Sequence, residues 1–229
     1  MEAPLDAAEV RVLGSLIEKE FTTPDNYPLT LSALIAACNQ ASNRDPVLQL
    51  DEATVANSLA SLGRRTLARE VYRSDSRARR YRHALGEKWH LHEAELAIMC
   101  VLMLRGPQTV GELRTRTARL FPFRDLPHVE VTLDALMTLS TPLVAKLPRR
   151  PGQKEARYAH LLSGEPQVNI TAEDDAEAGR DRAAAGEDGS REDGGGADRI
   201  AALEQELASL RAELAELRAK FDEFTREFQ

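Results

Sequence analysis

Cysteine is nearly absent. The chain holds only Cys38 and Cys100, each set among apolar residues and neither in a CxxC pair. That argues against a disulfide framework or a cysteine zinc site, and predicts two buried free thiols in a reducing cytoplasm. No run of about 18 apolar residues occurs, so no membrane span is expected. The N-terminus lacks a basic region followed by an apolar run, so no secretory leader is expected. A glycine-rich phosphate loop, GxSxG and HExxH are all missing. His90 and His92 stand two apart near a connector, without cysteine or carboxylate partners at zinc spacing. These absences point to a non-enzymatic protein with neither cofactor nor metal.

Net charge is informative only when divided along the chain. Residues 1–165 carry 22 Lys+Arg against 20 Asp+Glu, a balance of +2, whereas residues 166–229 carry 8 against 17, a balance of −9. The acidic character belongs to the tail. Within the near-neutral part, residues 64–82 hold eight arginines against Glu70 and Asp75, a local balance of +6. Such a concentrated basic stretch is compatible with a nucleic-acid partner.

The stretch 51–85 organises the chain. Asp51 is a helix N-cap, with Leu50 and Val55 placed as a hydrophobic staple. Val55, Leu59 and Leu62 at i, i+4 and i+7 predict one inward face. The opposite stripe carries Asn57, Ser61 and Arg64, the side chains suited to reading base edges from a helix spanning 51–65. Two short strands joined by an arginine-rich turn follow. Arg65, Arg69, Arg73, Arg77, Arg79, Arg80 and Arg82 are the candidate phosphate contacts.

Upstream, Asp6 caps a helix with Val10, Leu13, Leu16 and Ile17 on one stripe, ending near Glu20. Phe21–Leu29, with Pro24 and Pro28, reads as a loop. Thr30 caps a second helix carrying Leu31, Leu34, Ile35 and Cys38. Three helices followed by a two-stranded hairpin is the order of a winged helix-turn-helix. The segments VLGSLIEKE, TTPDNYPLTLSAL, ACNQ and SNRDPV then make the resemblance specific: the chain resembles the bacterial YceH family through both globular domains to about Leu162. The resemblance implies a tandem winged-helix fold and carries no established activity or catalytic residue. It singles out the polar loop Asn39–Pro46, whose Asn39, Asn43 and Arg44 are candidate ligand contacts. Local backbone bonding at the helix exit and turn is the preferred reading of the two asparagines. Arg44 has Asp45, Asp51, Glu52 or a partner molecule as its possible acidic counterpart.

An internal repeat supports the tandem reading. Ala8-Glu9-Val10 aligns with Ala94-Glu95-Leu96, Thr30 with Thr109, and Val55, Leu59 and Leu62 with Val129, Leu133 and Leu136. RRYRHAL ending at Leu85 aligns with ARYAHLL ending at Leu162, so Tyr81 and His83 match Tyr158 and His160. That recurrence marks them as scaffold. The outer face of the second copy's third helix carries Val131, Asp134, Ala135 and Thr138, a surface for packing rather than for phosphates. Its wing still holds Arg149, Arg150, Lys154 and Arg157.

From residue 164 to 197 the composition collapses to Gly, Ala, Asp, Glu and Arg, which predicts a disordered acidic linker. Asp198 then caps a heptad helix of Ile200, Leu203, Leu207, Leu210, Leu214, Leu217, Phe221, Phe224 and Phe228. In a parallel homodimer Arg199 meets Glu204, Glu206 meets Arg211 and Glu213 meets Arg218, all attractive.

The expected fold class is mainly α with small β-hairpins (α+β): tandem winged helices over 1–86 and 87–163, a linker over 164–197 and a coiled-coil helix over 198–229. The expected partners are double-stranded DNA, a second copy of the chain and an unidentified protein. An adaptor built on winged helices is the alternative function.

Overall fold

Ten consecutive residues of the first helix, Glu9 to Glu18, are buried, although only half of them are apolar. That one fact shapes the rest of the molecule. In the computed structural model, which describes residues 3–73, 76–149 and 153–164, helix α1 spans Ala7–Thr22 and opens with a reciprocal capping box between Asp6 and Glu9. Its apolar stripe packs on α2 (Leu31–Cys38) and α3 (Glu52–Arg64). Its other side is covered by α5 (Glu93–Arg105).

Close approach of α1 and α5 needs Gly14. A Cβ built there would stand 2.9 Å from Leu104 Cδ2 and 3.2 Å from Met103 Cβ. Cys100 Sγ also donates to the Gly14 carbonyl at 3.5 Å. Helix α5 is apolar nearly all round, and every residue from Leu96 to Leu104 is buried. The two halves of the repeat therefore share one continuous core within one compact unit.

The protein is mixed α/β, with two small antiparallel sheets. Residues 21–29 are more ordered than a plain loop. After a short 3-10 turn at Pro24–Asn26, strand β1 (Leu29–Thr30) forms an edge of the first sheet. Two residues are too few for an alternating pattern to show in sequence. The sheet order is β1-β3-β2, with β2 at Ala68–Arg73 and β3 at Ser76–His83. Next to the connector at His90 stands a short helix, α4 (Leu85–Trp89). His90 closes it in the left-handed conformation, φ 55°.

The second half repeats the plan with α5, α6 (Val110–Arg116), α7 (Leu126–Met137), β4 (Val144–Lys146) and β5 (Tyr158–His160). Equivalences extend beyond those visible in sequence. Gln108 bridges Tyr158 as Leu29 pairs with Tyr81. Asp125 caps α7 as Asp51 caps α3.

No helix among the described residues is long and apolar enough to cross a membrane. The acidic stretch, apart from Gly164, and the whole heptad of Ile200, Leu203, Leu207, Leu210, Leu214, Leu217, Phe221, Phe224 and Phe228 lie outside the described residues. So does Arg150.

Candidate functional site

Helix α3 begins where Asp51 Oδ1 accepts the Thr54 amide at 2.8 Å. Val55, Leu59 and Leu62 are buried against the core, which turns the opposite face outward. Asn57 and Arg64 are exposed there and Ser61 is half-buried. Among the described residues none of these three side chains has a polar partner. The remainder of the face is Ala53, Ala56 and Ala60, all exposed. Side chains this short let a flat or grooved partner approach the helix backbone closely.

The basic hairpin divides into inward and outward arginines. In the antiparallel register Arg69 stands opposite Arg82. Two like charges across a ladder are destabilising unless a counter-charge intervenes. Glu87 supplies it, with its carboxylate 3.1 Å from Arg69 and in direct contact with Arg82. The Arg82 hydrogen bond first, then the charges of Arg82 and Arg69, hold the Glu87 carboxyl below its ordinary range. Arg79 lies 3.4 Å from Glu70 and is well exposed. Two of the candidate phosphate contacts serve the fold instead. Arg80 donates to the Pro28 carbonyl at 2.9 Å and its Nε is buried. Arg65 donates to the Ala3 carbonyl at 2.5 Å and lies 3.7 Å from Glu9. The side chains of Arg73 and Arg77 lie outside those described.

The polar loop 39–46 is a structural clasp. Asn39 donates to the Leu50 carbonyl at 2.9 Å and accepts the Leu50 amide at 2.8 Å, pinning the loop to the start of α3. Arg44 does not pair with Asp45, Asp51 or Glu52. It turns inward and forms a fork with Glu18, at 2.6 and 3.1 Å. It also donates to the Ala37 and Asn43 carbonyls at 2.8 and 2.9 Å. Buried charge demands a counter-ion, and α1 brings the nearest carboxylate to the loop.

Arg11, also buried, donates to the carbonyls of Cys38 at 3.1 Å and Pro46 at 2.5 Å. Arg11 and Glu18 were not evident as functional residues in sequence. The signal was available, since Arg11, Ser15 and Glu18 fall at i, i+4 and i+7 on one stripe of α1. Asn43 sits in the left-handed conformation, φ 58°, and its Oδ1 accepts from Arg105 at 3.2 Å.

The recurrent tyrosines and histidines pack rather than converge. The Tyr27 hydroxyl accepts the His83 amide at 2.8 Å, and the His83 ring meets Glu20. Burial pulls His160 down to about 4, keeping it neutral. Both cysteines are buried, and burial raises their thiols above the ordinary range. Among the described residues no group of three or more His, Cys, Asp or Glu is arranged to hold a metal ion. In the second half Val131 is 67% exposed on the outer face of α7. Arg157 is tied to the Pro107 carbonyl at 3.0 Å and to Glu112 at 3.7 Å.

Residues 5–153 match the family described as "Protein of unknown function, DUF480". A UPF0502 protein of Geotalea daltonii is 54% identical over 180 residues, covering 79% of this chain and 82% of that protein. One from Citrifermentans bemidjiense is 56% identical over 172 residues, covering 75% and 80%. One from Chromobacterium violaceum is 51% identical over 164 residues, covering 72% and 74%. With a clasp, a shared core and a basic hairpin encoded inside the matched region, the chain belongs to the DUF480, or UPF0502, family of bacterial proteins.

Proposed function

We propose that this is a non-enzymatic, cytoplasmic double-stranded-DNA-binding protein of transcriptional-regulator type, built as two winged helices in tandem. Two features support the winged-helix assignment: the element order α1-β1-α2-α3-β2-β3 and its repetition from α5 to β5. The observation that carries the function is the outer face of α3. Asn57, Ser61 and Arg64 stand there, and the hairpin that follows the helix carries Arg69 and Arg82 on one face and Arg79 on the other, all six at least partly exposed. A polar helix face suits the major groove, and flanking guanidiniums suit phosphates. The C-terminal heptad would pair two copies in parallel, so that two such faces meet spaced half-sites.

Binding to mixed-sequence duplex across a salt series tests this reading. The wild type is compared with an Arg64→Ala/Arg69→Ala/Arg79→Ala variant, which spares the inward-facing Arg65 and Arg80. The expected result is salt-dependent binding whose log–log slope falls by roughly 0.9 for each phosphate contact removed. No binding by the wild type at low salt overturns it. Sedimentation of the full chain against a Leu207→Asp/Leu214→Asp variant tests the coil. A dissociated variant is expected, and equal mass in both sinks the pairing.

A second reading, an adaptor that binds another protein, is favoured by the exposed apolar side chains of α7, Val131 at 67% and Leu126 at 43%.

A further inference from the structure

Residues 114–124, which end α6 and turn into α7, hold Arg114, Arg116, Arg119 and Arg124 with no Asp or Glu among them. The corresponding end of α2 and loop to α3, residues 35–49, has Arg44 as its one basic residue, and that one is buried against Glu18. The repeat diverges here: the first turn folds its charge inward, and the second presents charge outward. Arg114, Arg119 and Arg124 are all exposed. Arg114 donates to the Arg124 carbonyl at 3.1 Å, a bond that leaves its charge unbalanced. The side chains of Arg119 and Arg124 have no polar partner among the described residues. Neighbouring carboxylates are already engaged, Glu112 with the Thr109 amide, Arg116 and Arg157, and Asp125 with the His128 amide.

A basic last turn that complements the helix dipole accounts for Arg114 and Arg116, but Arg119 and Arg124 lie beyond the helix. The turn that carries them is built to hold its shape. Phe121 and Phe123 meet edge to face at 4.9 Å, and each meets His128 of α7, at 5.8 and 5.0 Å. Thr117, fully buried, donates to the Leu113 carbonyl at 2.7 Å. Guanidiniums set on a fixed turn lose less freedom on binding than guanidiniums on a loose one. The exposed surface between them is small or polar: Thr115, Ala118 and Pro122, with Phe123 buried and Leu120 and Phe121 half-buried. A protein partner needs apolar or aromatic anchors at the centre of its interface, and the surface between Arg114 and Arg124 offers none. A phosphate backbone needs only charge and reach. Arg119 also borders, with Asn43, the narrow space between α5, α6 and the 39–46 loop, so the patch stands beside the loop that leads into α3.

We infer that the α6–α7 turn is a second surface for the nucleic-acid backbone, with Arg114, Arg119 and Arg124 on phosphates, so that both halves of the repeat hold one duplex. This rests on the DNA-binding reading above and extends it to the half whose third helix, with Val131 and Asp134 outward, is unsuited to bases. Guanidinium meets a phosphate through paired N–H donors. Contacts of this kind add affinity and salt dependence but no sequence preference.

Binding of the full chain to mixed-sequence duplex is measured across a salt series for four proteins: wild type, Arg119→Gln/Arg124→Gln, the α3–hairpin variant above, and the two combined. Neither replaced side chain of the turn variant bonds to another described residue, so its melt is expected to match wild type. Its log–log slope is expected to fall by roughly 1.8, for two phosphates at about 0.9 each. The fall is expected to be the same on duplexes of different sequence and to add to that of the α3–hairpin variant. Arg119→Lys/Arg124→Lys keeps the charge and is expected to restore most of the slope. A wild-type slope in the turn variant overturns the inference and leaves the α3 reading in place. An unchanged slope in the α3–hairpin variant alone overturns that reading and leaves the turn as the backbone contact. No duplex binding by wild type at low salt overturns both. Poly-glutamate that binds wild type and not the turn variant, where duplex binds neither, makes the partner an acidic protein and overturns the nucleic-acid assignment.

Discussion

Replacing Glu18 by Gln removes the counter-charge of a guanidinium that has no access to water. The Arg44 side chain is 0% exposed and Glu18 only 11%. Arg44 keeps its carbonyl acceptors at Ala37 and Asn43, so its N–H groups stay partly satisfied while its charge does not. Breaking a buried pair from one side costs about 3–5 kcal/mol. Glutamine retains one acceptor oxygen, which puts the expectation near the lower end, about 3 kcal/mol. For a unit of this size each kcal/mol moves Tm by about 2–4 °C, so a fall of about 6–12 °C is expected.

Urea and thermal melts followed by circular dichroism measure it directly. The double variant Glu18→Gln/Arg44→Met removes both charges and is expected to lie closer to wild type than Glu18→Gln alone. The pair also has a pH signature. Burial acts to raise the Glu18 carboxyl, but the hydrogen bonds and charge of Arg44, then Lys19, outweigh it and hold the carboxyl below its ordinary value. A depressed carboxylate adds stability above the unfolded pKa, and that stability is lost as pH falls through the folded one. A Glu18→Gln melt within about 0.5 kcal/mol of wild type would refute the reasoning, since that is the scale of a surface substitution.

Three further outcomes follow from the packing and the charges. Gly14→Val drives a branched side chain into Leu104 and Met103, and melts are expected to show a loss of about 1–3 kcal/mol. Preserved stability there would mean that α1 and α5 do not meet as described. His160, held neutral down to about 4 against an ordinary 6.5, makes the unfolded chain bind the extra proton first. Stability is therefore expected to fall as pH drops from 6.5 toward 4, by up to roughly 3 kcal/mol. His160→Leu should flatten that limb of the curve, and an unchanged slope would assign it elsewhere. Glu87→Gln frees the opposed Arg69 and Arg82 for phosphates, so tighter duplex binding at low salt is expected if the hairpin contacts DNA; weaker or unchanged binding counts against that role.

Local pattern was enough for much of this molecule. Asp6, Thr30, Asp51 and Thr109 all cap the helices their positions announce, because an N-cap acts over three residues and needs no tertiary partner. The apolar stripes of α1, α3 and α7 are inward, and the outward polar stripe of α3 follows by geometry once its core face is set. The repeat likewise shows in sequence, since like segments form like elements.

What lay beyond the pattern is what one element does to the far side of another. Periodicity marks a polar face on α1, but the closure of the 39–46 loop over Arg11 and Glu18, beside the packing of α5 at Gly14, buries those two charges there. Burial then reassigns the arginines. Arg44 becomes half of an internal ion pair, Arg65 and Arg80 tie strand and helix ends to distant carbonyls, and Arg64 lies exposed with no partner among the described residues. Residues of one type, close in sequence, differ in role because the dielectric around each is set by neighbours far along the chain.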